Sequence, residues 1–317
     1  MVAALRVVFF GTPAFAVPAL ERLLASPHRV VGVVTQPDRP RGRGYTVTDA
    51  PVKALAVERG VPVVQPPRLR EPEVETPLRA WRPDLGVVAA YGKLIPDHLL
   101  TLPRLGMINV HASLLPKYRG AAPVQRAVMA GETETGVTIM RVIHDLDAGG
   151  TFAQATRAIG GDETSVDVER DLAILGAGLL VGVIDAIAAG SAQETPQDDA
   201  QATYAPKVRK EEGPIDWAQP ARRIHDQVRG LHPWPHAHTV LGGARVIVLR
   251  TRVEAPVACP EPAGTVVHVS RDGLEVMAGD GGAIAIERLQ PEGRRPMSVR
   301  EFLAGHPVAR GARLGGA

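Results

Sequence analysis

The sequence predicts an α/β protein in which a mostly parallel sheet with helices on both faces precedes a smaller β domain. Short apolar runs of strand type alternate with helical patterns over the first part of the chain, as they do in parallel sheets covered by helices. The later part carries short β-branched runs separated by Gly-rich turns, a pattern typical of a small barrel of the oligonucleotide-binding type. At 317 residues the chain is long enough for both domains.

The first predicted domain covers residues 1–190. Its predicted strands occupy residues 5–10, 30–35, 85–89, 107–110 and 137–142, and its predicted helices occupy 19–25, 52–59 and 124–130. A longer helix is expected at 165–189. The acidic residues Asp167, Glu169 and Asp171 would lie in its early turns, where negative charge stabilises a helix, and Gly190 would end it. The polar stretch that follows, rich in Gln, Asp, Thr and Pro, predicts a linker at residues 191–214.

The remaining residues, 215–317, form the predicted C-terminal barrel. A helix at 221–231 precedes five short strands, at 239–241, 245–253, 265–269, 274–277 and 283–289. Residues 205–317 carry 16 Lys and Arg against 12 Asp and Glu, whereas residues 1–204 carry 20 against 22. The positive charge of the C-terminal part permits contact with a polyanion, although an ordinary solvated surface has the same composition.

Composition excludes several classes of protein. The hydrophobic fraction of 45% and the charged fraction of 22% are those of a soluble globular chain rather than a disordered or fibrous one. Cys259 is the only cysteine, so neither an intrachain disulfide nor a cysteine-rich metal site can form. The apolar run near the N-terminus is too short for a signal peptide or a membrane span, and we expect a cytoplasmic protein without membrane contact.

Motifs for nucleotides and metals are incomplete in this chain. The GTPAFA turn after the first strand lacks the second and third glycines of a dinucleotide site. Two interpretations of this turn remain: it faces a ligand of another kind, or it simply connects a strand to a helix. His232, His236 and His238 lie close in sequence, but they have no acidic or cysteine partner at ligand spacing. We therefore expect no metal site.

Polar side chains end the fourth predicted strand, in the segment NVHASLLPKYRGAAP that begins at Asn109. Asn109 and His111 are two residues apart and therefore point to the same face of a strand. An amide, an imidazole and a carboxylate such as Asp147 can supply the hydrogen-bond donor and the proton acceptor that a tetrahedral acyl transfer requires. A histidine at a strand end is also common for purely structural reasons.

The segment QPDRPRGRG carries Arg39, Arg41 and Arg43 among prolines and glycines. This composition cannot pack a core, and it predicts a surface loop that meets an anion such as phosphate or is simply solvated. The interleaved glycines and prolines favour a shaped loop.

These segments together resemble the folate-dependent formyltransferases. The resemblance runs from the GTPAFA turn through TQPDRPRGRG, AYGKLIP, NVHASLLPKYRGAAPVQRA and ETGVTIM to KEEGPIDW and HPWP, and so covers most of the chain. The NVH and SLLP residues belong to the whole family, whereas the arginine loop, KEEGPIDW and HPWP point to its branch that acts on tRNA. The chain departs from the family pattern at Ala112, where glycine is usual, and around Asp147.

The resemblance implies a Rossmann-like catalytic domain followed by an oligonucleotide-binding-like barrel that contacts tRNA. It implies transfer of the formyl group of 10-formyltetrahydrofolate, without a metal, to the α-amino group of methionine on initiator tRNA. The partners would be the folate and the aminoacylated initiator tRNA, and the protein is expected to act as a monomer in translation initiation.

The resemblance also implies a role for individual residues. The catalytic residues would be Asn109, His111 and Asp147, with Asp145 as a competing match for the carboxylate. The folate site would comprise Ser113, Leu114, Leu115, Pro116, Tyr91 and Gly92. The tRNA site would comprise Arg39, Arg41, Arg43, Lys207 and Lys210, with Arg43 at the position that contacts the acceptor stem.

Two other functions remain compatible with the sequence. One is formyl transfer to a small acceptor, such as an amino sugar nucleotide or phosphoribosylglycinamide, which would need neither the arginine loop nor a basic barrel. The other is a folate-binding or RNA-binding module without catalysis, which the altered surroundings of Asp147 would allow.

Overall fold

The computed structural model describes residues 3–41, 46–69, 72–256, 261–271 and 273–315. The chain folds into two compact units. The first comprises Met1–Pro123, Thr135–Arg157 and Glu169–Ala205, and the second comprises Val124–Glu134, Ala158–Val168 and Pro206–Ala317. The domain boundaries expected from the sequence, after residues 190 and 214, stay a prediction.

The elements range from strands of two residues to a helix of 24 residues. The helices are α1 (Val17–Leu24), α2 (Pro51–Glu58), α3 (Pro72–Trp81), α4 (Asp97–Leu100), α5 (Pro123–Ala130), α6 (Ser165–Ala188), α7 (Ala221–Gly230) and α8 (Val299–Gly305). The strands are β1 (Arg6–Gly11), β2 (Arg29–Val34), β3 (Arg39–Arg41), β4 (Thr46–Thr48), β5 (Val63–Val64), β6 (Leu85–Ala89), β7 (Met107–His111), β8 (Arg119–Gly120), β9 (Glu134–Arg141), β10 (Thr151–Ala158), β11 (Tyr204–Ala205), β12 (Ala237–Leu241), β13 (Ala244–Glu254), β14 (Val266–Val269), β15 (Leu274–Met277), β16 (Ala283–Pro291) and β17 (Met297–Ser298).

Seven strands form the main sheet of the first unit, in the order β10-β9-β7-β6-β1-β2-β5. The five strands from β5 through β2, β1 and β6 to β7 are parallel, and β9 joins β7 antiparallel. This topology confirms the predicted mostly parallel sheet. Because β2 and β6 flank β1 on opposite sides, their carboxyl ends border the crevice in which such sheets bind ligands.

Helices cover both faces of this sheet. On one face, apolar residues of the strands pack with residues of α3 and α4, in a cluster that includes Val8, Phe10, Val34, Val74, Leu78, Val88, Leu99, Leu100 and Met107. On the other face α6 lies close to β7 and β9, so that a Cβ at Gly176 would stand 2.6 Å from Val110 Cγ1 and 2.9 Å from Val137 Cγ2. Glycine is therefore the residue that lets this helix approach the sheet.

By length and composition alone, the 24 residues of α6 could cross a membrane. Core helices of globular proteins meet the same criterion. In the first unit Leu172, Leu180 and Ile184 of this helix are fully buried, and Gly176 lies against β7 and β9. This packing is that of a core helix.

The second unit contains an antiparallel sheet. Its strands follow the order β12-β13-β16-β15-β14, with β17 paired to β16. The last residues of the chain connect the two edges, because Leu314 bridges Leu241 at the end of β12 and Arg313 bridges Thr265 just before β14. These bridges close the sheet as a small barrel requires, in agreement with the predicted β domain.

Patterns in the sequence do not predict α3, α4 or β10. Pro77 lies inside α3, and a proline there argues against a helix when only the sequence is considered. β10 is an edge strand in which partly buried and exposed residues alternate, so it contains no apolar run. α3 and β10 are therefore stabilised by packing on the sheet, and their own sequence patterns do not predict them.

Candidate active site

β7 ends in the polar pair Asn109 and His111. Asn109 is paired in register with Val88 of β6 and Met140 of β9, so both of its neighbours are strands of the same sheet. The two-residue period puts the Asn109 and His111 side chains on the face that carries Met107 and the α3 and α4 cluster. The strand thus presents an amide and an imidazole together at its carboxyl end.

The ring of His111, a residue that is only 5% exposed, has a partner for each nitrogen. Nε2 lies 3.0 Å from the carbonyl oxygen of Tyr118, and Nδ1 lies 3.7 Å from Oδ2 of Asp147. Because a carbonyl can only accept, Nε2 carries the proton of the neutral ring, and the Nδ1 lone pair faces the carboxylate. A proton taken up at Nδ1 would therefore be stabilised by Asp147.

Asp147 reaches His111 from the loop between β9 and β10. Its Oδ2 accepts a hydrogen bond of 2.9 Å from the amide of Gly120, and its backbone has a φ of 50°. That left-handed conformation costs a non-glycine residue about 1–3 kcal/mol, so neighbouring contacts must hold it. Asp145, the competing match in the sequence, is exposed. Asp147 is thus the carboxylate that the fold brings to the histidine.

Asn109 is half-buried, and among the described residues its side-chain amide has no hydrogen-bond partner. A partly accessible amide that folding leaves unpaired can donate to the oxygen of a ligand. Asn109, His111 and Asp147 therefore offer a donor, a base and a carboxylate at one end of β7.

The predicted folate loop, from Ser113 to Pro116, is held by its own hydrogen bonds. Thr138 Oγ1 donates to the Ser113 carbonyl at 2.7 Å and accepts from the Leu115 amide at 3.2 Å. Ser113 and Leu115 are buried, and the Ser113 hydroxyl donates to a backbone carbonyl at 2.6 Å. Leu114 and Pro116 are half-buried. The accessible side chains of this loop are therefore those of Leu114 and Pro116.

Tyr91 and Gly92 follow β6 and line a cavity of about 300 Å³. The cavity lies at the carboxyl ends of β1, β2 and β6, and its polar lining includes Thr12, Gln36 and Asp38. Burial raises the pKa of the Tyr91 hydroxyl to about 12, so this group stays neutral. Gly92 has a φ of 80°, and a Cβ there would stand 2.8 Å from Nε2 of Gln36.

The predicted arginine loop begins and ends in a short hairpin. β3 and β4 pair antiparallel, with Arg39 opposite Thr48 and Arg41 opposite Thr46. Arg43 lies outside the described residues. The backbone of Arg39 and Arg41 thus belongs to a paired strand rather than to an irregular loop.

Asp38 anchors the base of this hairpin. It forms an ion pair with Lys53 and accepts hydrogen bonds from the Ala50 amide at 3.2 Å and from Gln65 Nε2 at 3.0 Å. The Lys53 ammonium, above all, holds the pKa of the Asp38 carboxyl below its ordinary value. The start of the hairpin is therefore tied to α2 and to the residue that follows β5.

Lys207 and Lys210 are exposed on a segment of the second unit whose backbone is fixed. Arg126 of α5 forms an ion pair with Glu212 and donates to the carbonyls of Pro206 at 2.9 Å and Lys207 at 3.2 Å. The same guanidinium lowers the pKa of the Glu212 carboxyl. Two ammonium groups thus project from a well-held backbone.

Residues 195–205 belong to the first unit and contact the loops around His111, although the sequence predicts them as part of a linker. Gln197 Nε2 donates to the carbonyl oxygens of Asp147 at 2.8 Å and Gly149 at 2.7 Å. Its Oε1 accepts from Arg119 Nε at 3.0 Å and Nη2 at 2.9 Å. Sequence reasoning missed these residues, because the polar composition of the segment is the same as that of a linker.

Within the part of the chain that the structure describes, no group of three or more His, Cys, Asp or Glu side chains could hold a metal ion. The rings of His232 and His236 lie 5.2 Å apart. Burial lowers the pKa of both imidazoles and that of His238, so the neutral rings are favoured.

Two family profiles match this chain. The profile described as formyl transferase matches residues 5–184. The chain belongs to the formyl transferase family. A second profile, described as formyl transferase, C-terminal domain, matches residues 207–307. The formyl transferase match includes Asn109, His111 and Asp147, and the C-terminal match includes Lys207 and Lys210.

Individual members of the formyl transferase family match nearly the whole chain. Methionyl-tRNA formyltransferase of Moorella thermoacetica is 46% identical over 311 residues, which cover 98% of this chain and 99% of that protein. Methionyl-tRNA formyltransferase of Trichlorobacter lovleyi is 46% identical over 309 residues, with 98% and 96% covered.

A solved structure of an N-formyltransferase has the same fold. The Helicobacter canadensis protein, in complex with folinic acid and dTDP-3-aminofucose, superposes with a TM-score of 0.68 over 89% of this chain and 98% of that one. The two sequences are 15% identical, so this likeness concerns the fold alone. The formyl transferase fold is therefore supported by structure as well as by sequence.

Proposed function

We propose that this formyl transferase moves the formyl group of 10-formyltetrahydrofolate to the α-amino group of methionine on initiator tRNA. The observation that carries the proposal is the group at the end of β7, where His111 Nδ1 faces Asp147 Oδ2 at 3.7 Å. The Asn109 amide, two residues before His111 on the same strand, has no hydrogen-bond partner among the described residues. The choice of acceptor rests on the relatives that match almost end to end, which are methionyl-tRNA formyltransferases.

Asn109 is the proposed donor to the oxyanion. Attack of the methionyl amine on the formyl carbon puts negative charge on the formyl oxygen and positive charge on the nitrogen. The Asn109 amide has no partner within the described residues, so it can donate to that oxygen without breaking a contact of the fold. This interaction strengthens as the charge develops and therefore lowers the barrier.

His111 is the proposed base. Its Nδ1 lone pair accepts the proton of the attacking nitrogen, directly or through one water, and the Asp147 carboxylate stabilises the resulting imidazolium. His111 then returns this proton to N10 of the folate as the bond between N10 and the formyl carbon breaks. One bond forms, one breaks and the proton ends on the leaving nitrogen, so neither a metal nor a nucleophilic side chain is required.

The folate supplies the activated formyl group, and exposed apolar side chains near the site fit its flat ring. Leu94, Ile143 and Leu146 are 76%, 41% and 50% exposed and are therefore accessible to a ligand. The loop that carries Ile143 and Leu146 contacts the start of α4, three residues after Leu94, where His144 Nδ1 lies 3.1 Å from Asp97 Oδ1. We propose that these side chains contact the pterin.

The proposed tRNA contacts are the basic residues of two separate segments. Arg39 and Arg41 of β3, and Arg43, which lies outside the described residues, would contact phosphates of the acceptor arm. Lys207 and Lys210 would contact phosphates from the second unit, where basic residues outnumber acidic ones after residue 204. We propose that the protein acts as a monomer in the cytoplasm.

A formylation assay tests the proposal. Purified protein, 10-formyltetrahydrofolate and methionyl initiator tRNA should give formylmethionyl-tRNA, which mass spectrometry of the released amino acid detects. The Asn109→Ala variant serves as the control for contaminating activity. Formylation of a dTDP-linked amino sugar or of phosphoribosylglycinamide, without formylation of the tRNA, would identify a small-acceptor enzyme. Binding of tRNA without transfer to any acceptor would reduce the protein to a binding module.

A further inference from the structure

Residues 195–205, which we name the strap, run along the loops that surround His111. At its start, Thr195 exchanges backbone hydrogen bonds of 2.8 and 2.9 Å with Thr151, the first residue of β10. At its end, β11 pairs in parallel with β8, with Tyr204 opposite Arg119 and Ala205 opposite Gly120. The strap is therefore fixed at both ends within the first unit.

Gln197 lies between these two ends and contacts the loop that carries Asp147. Its Nε2 donates to the carbonyl oxygens of Asp147 and Gly149, at 2.8 and 2.7 Å. One side-chain amide thus holds the backbone on both sides of Ala148. The residue that it holds most directly is Asp147, whose φ of 50° is unfavourable for aspartate.

Arg119 fixes the orientation of the Gln197 amide. Arg119 is 3% exposed and donates from Nε and Nη2 to Gln197 Oε1, while Nη2 also pairs with Asp199 at 2.7 Å. Because a guanidinium has donors only, the oxygen of the amide must face Arg119. Its NH₂ group must then face the two carbonyls, so the buried cation selects the orientation in which Gln197 can hold the loop.

The end of the strap holds the other partners of the two proposed catalytic side chains. Thr203 Oγ1 accepts from the Tyr118 amide at 2.8 Å, and the Thr203 carbonyl accepts from the Arg119 amide at 2.8 Å. The Tyr118 carbonyl is the partner of His111 Nε2, and the neighbouring Gly120 amide donates to Asp147 Oδ2. The strap therefore supports both the histidine and the carboxylate through the backbone.

We infer that Gln197 is a positioning residue for formyl transfer, which sets the distance between Asp147 and His111 by holding the Asp147 backbone. This inference rests on the proposed function of the site. Gln197 does not touch a reacting atom, so its loss should slow the chemical step and leave substrate binding intact. Displacement of a catalytic group by about 1 Å can cost a hundredfold in rate.

The Gln197→Glu variant isolates the contact with the loop. A glutamate has the same shape and still accepts from Arg119, but it replaces the NH₂ group with an oxygen that repels the carbonyls of Asp147 and Gly149. We expect kcat to fall by about ten- to a hundredfold. The Michaelis constants for the folate and for methionyl-tRNA should stay within about twofold of wild type, because only the transition state is affected.

Gln193 provides the matched control. It lies just before the strap, is exposed, and makes no side-chain hydrogen bond with any described residue. Gln193→Glu and Gln193→Ala should keep wild-type kcat, whereas Gln197→Ala should lose it as Gln197→Glu does. Thermal unfolding of each variant, followed by circular dichroism, shows whether a low kcat reflects a folded protein.

The outcomes separate this inference from the proposed function. If wild-type protein formylates methionyl-tRNA but Gln197→Glu keeps wild-type kcat, Gln197 has no positioning role. A lower unfolding temperature with unchanged kcat below that temperature would make Gln197 purely structural and would also overturn the inference. If wild-type protein formylates no acceptor, the proposed function itself is wrong.

Discussion

The end of β7 and the segment around Lys207 hold the side chains proposed to function there in opposite ways. At β7, His111 is 5% exposed and each ring nitrogen faces a partner, while Asp147 accepts from a backbone amide. Around Lys207, the Arg126–Glu212 pair fixes the backbone and leaves the ammonium groups exposed. Proton transfer requires atoms placed within fractions of an ångström, whereas attraction of phosphate acts over several ångströms and tolerates mobile side chains. The first region therefore depends on tertiary contacts and the second on charge.

The largest effect is expected at the end of β7. His111→Ala should lower kcat by about a hundredfold or more, because the proposed base is lost, and Asn109→Ala and Asp147→Ala should have similar effects. Initial rates at varied tRNA and folate concentrations measure kcat and KM separately. If these variants raised the KM for tRNA and kept kcat, the end of β7 would be a binding surface. The proposed difference between this region and the segment around Lys207 would then be wrong.

The packing beneath β7 comes next. Gly176→Ala places a methyl group against Val110 and Val137, and should lower the free energy of unfolding by about 1–3 kcal/mol through overpacking. Gly178 of the same helix is the control, because a Cβ there meets nothing within 4 Å, so that Gly178→Ala should stabilise by up to about 1 kcal/mol. Urea unfolding measures the free energy of unfolding of both variants. Equal changes in the two variants would contradict the close packing of α6 against β7 at Gly176.

The basic segment should respond in KM rather than kcat. Lys207→Ala and Lys210→Ala should each raise the KM for methionyl-tRNA several-fold, and each should reduce the slope of log affinity against log salt by about 1. Glu211 is exposed beside them, and Glu211→Gln should shift the KM in the opposite direction. A fall in kcat at saturating tRNA would mean that these lysines do more than attract phosphate.

The smallest effect concerns the pair that holds this segment. Because Arg126 lowers the pKa of Glu212, the pair adds stability above the ordinary glutamate pKa and loses it as the pH falls through the lowered pKa. Glu212→Gln should therefore be less stable than wild type at pH 7, by about 1 kcal/mol or less for a partly exposed pair. Urea midpoints at pH 7 and in acid check this, and a difference that grew in acid would contradict it.

Much of the polar end of β7 could be predicted because it depends on local periodicity. Apolar strand runs alternate with helical patterns, and Asn109 and His111 stand two residues apart, so both the parallel sheet and the shared face follow from the sequence. The composition of the arginine segment likewise predicts that it lies at the surface, but it does not predict the pairing of β3 with β4. The roles of all these residues stay proposals.

Other parts of the site had a weaker local signal or none. The family resemblance favours Asp147 over Asp145, and the fold agrees, because Asp147 faces His111 whereas Asp145 is exposed. Gln197 lies in a stretch whose composition is that of a linker. Its contacts with Asp147, Gly149 and Arg119 join residues far apart in the chain, and no periodicity relates them.

The sequence by itself therefore determined the architecture, the family resemblance and the polar end of β7, because strand and helix periods repeat over a few residues and are visible in any one segment. Tertiary structure decided how closely Asp147 approaches the histidine, which ring nitrogen faces this carboxylate and what holds the strained Asp147 backbone. These depend on hydrogen bonds between distant segments, whose directions are fixed only when the loops have packed against one another.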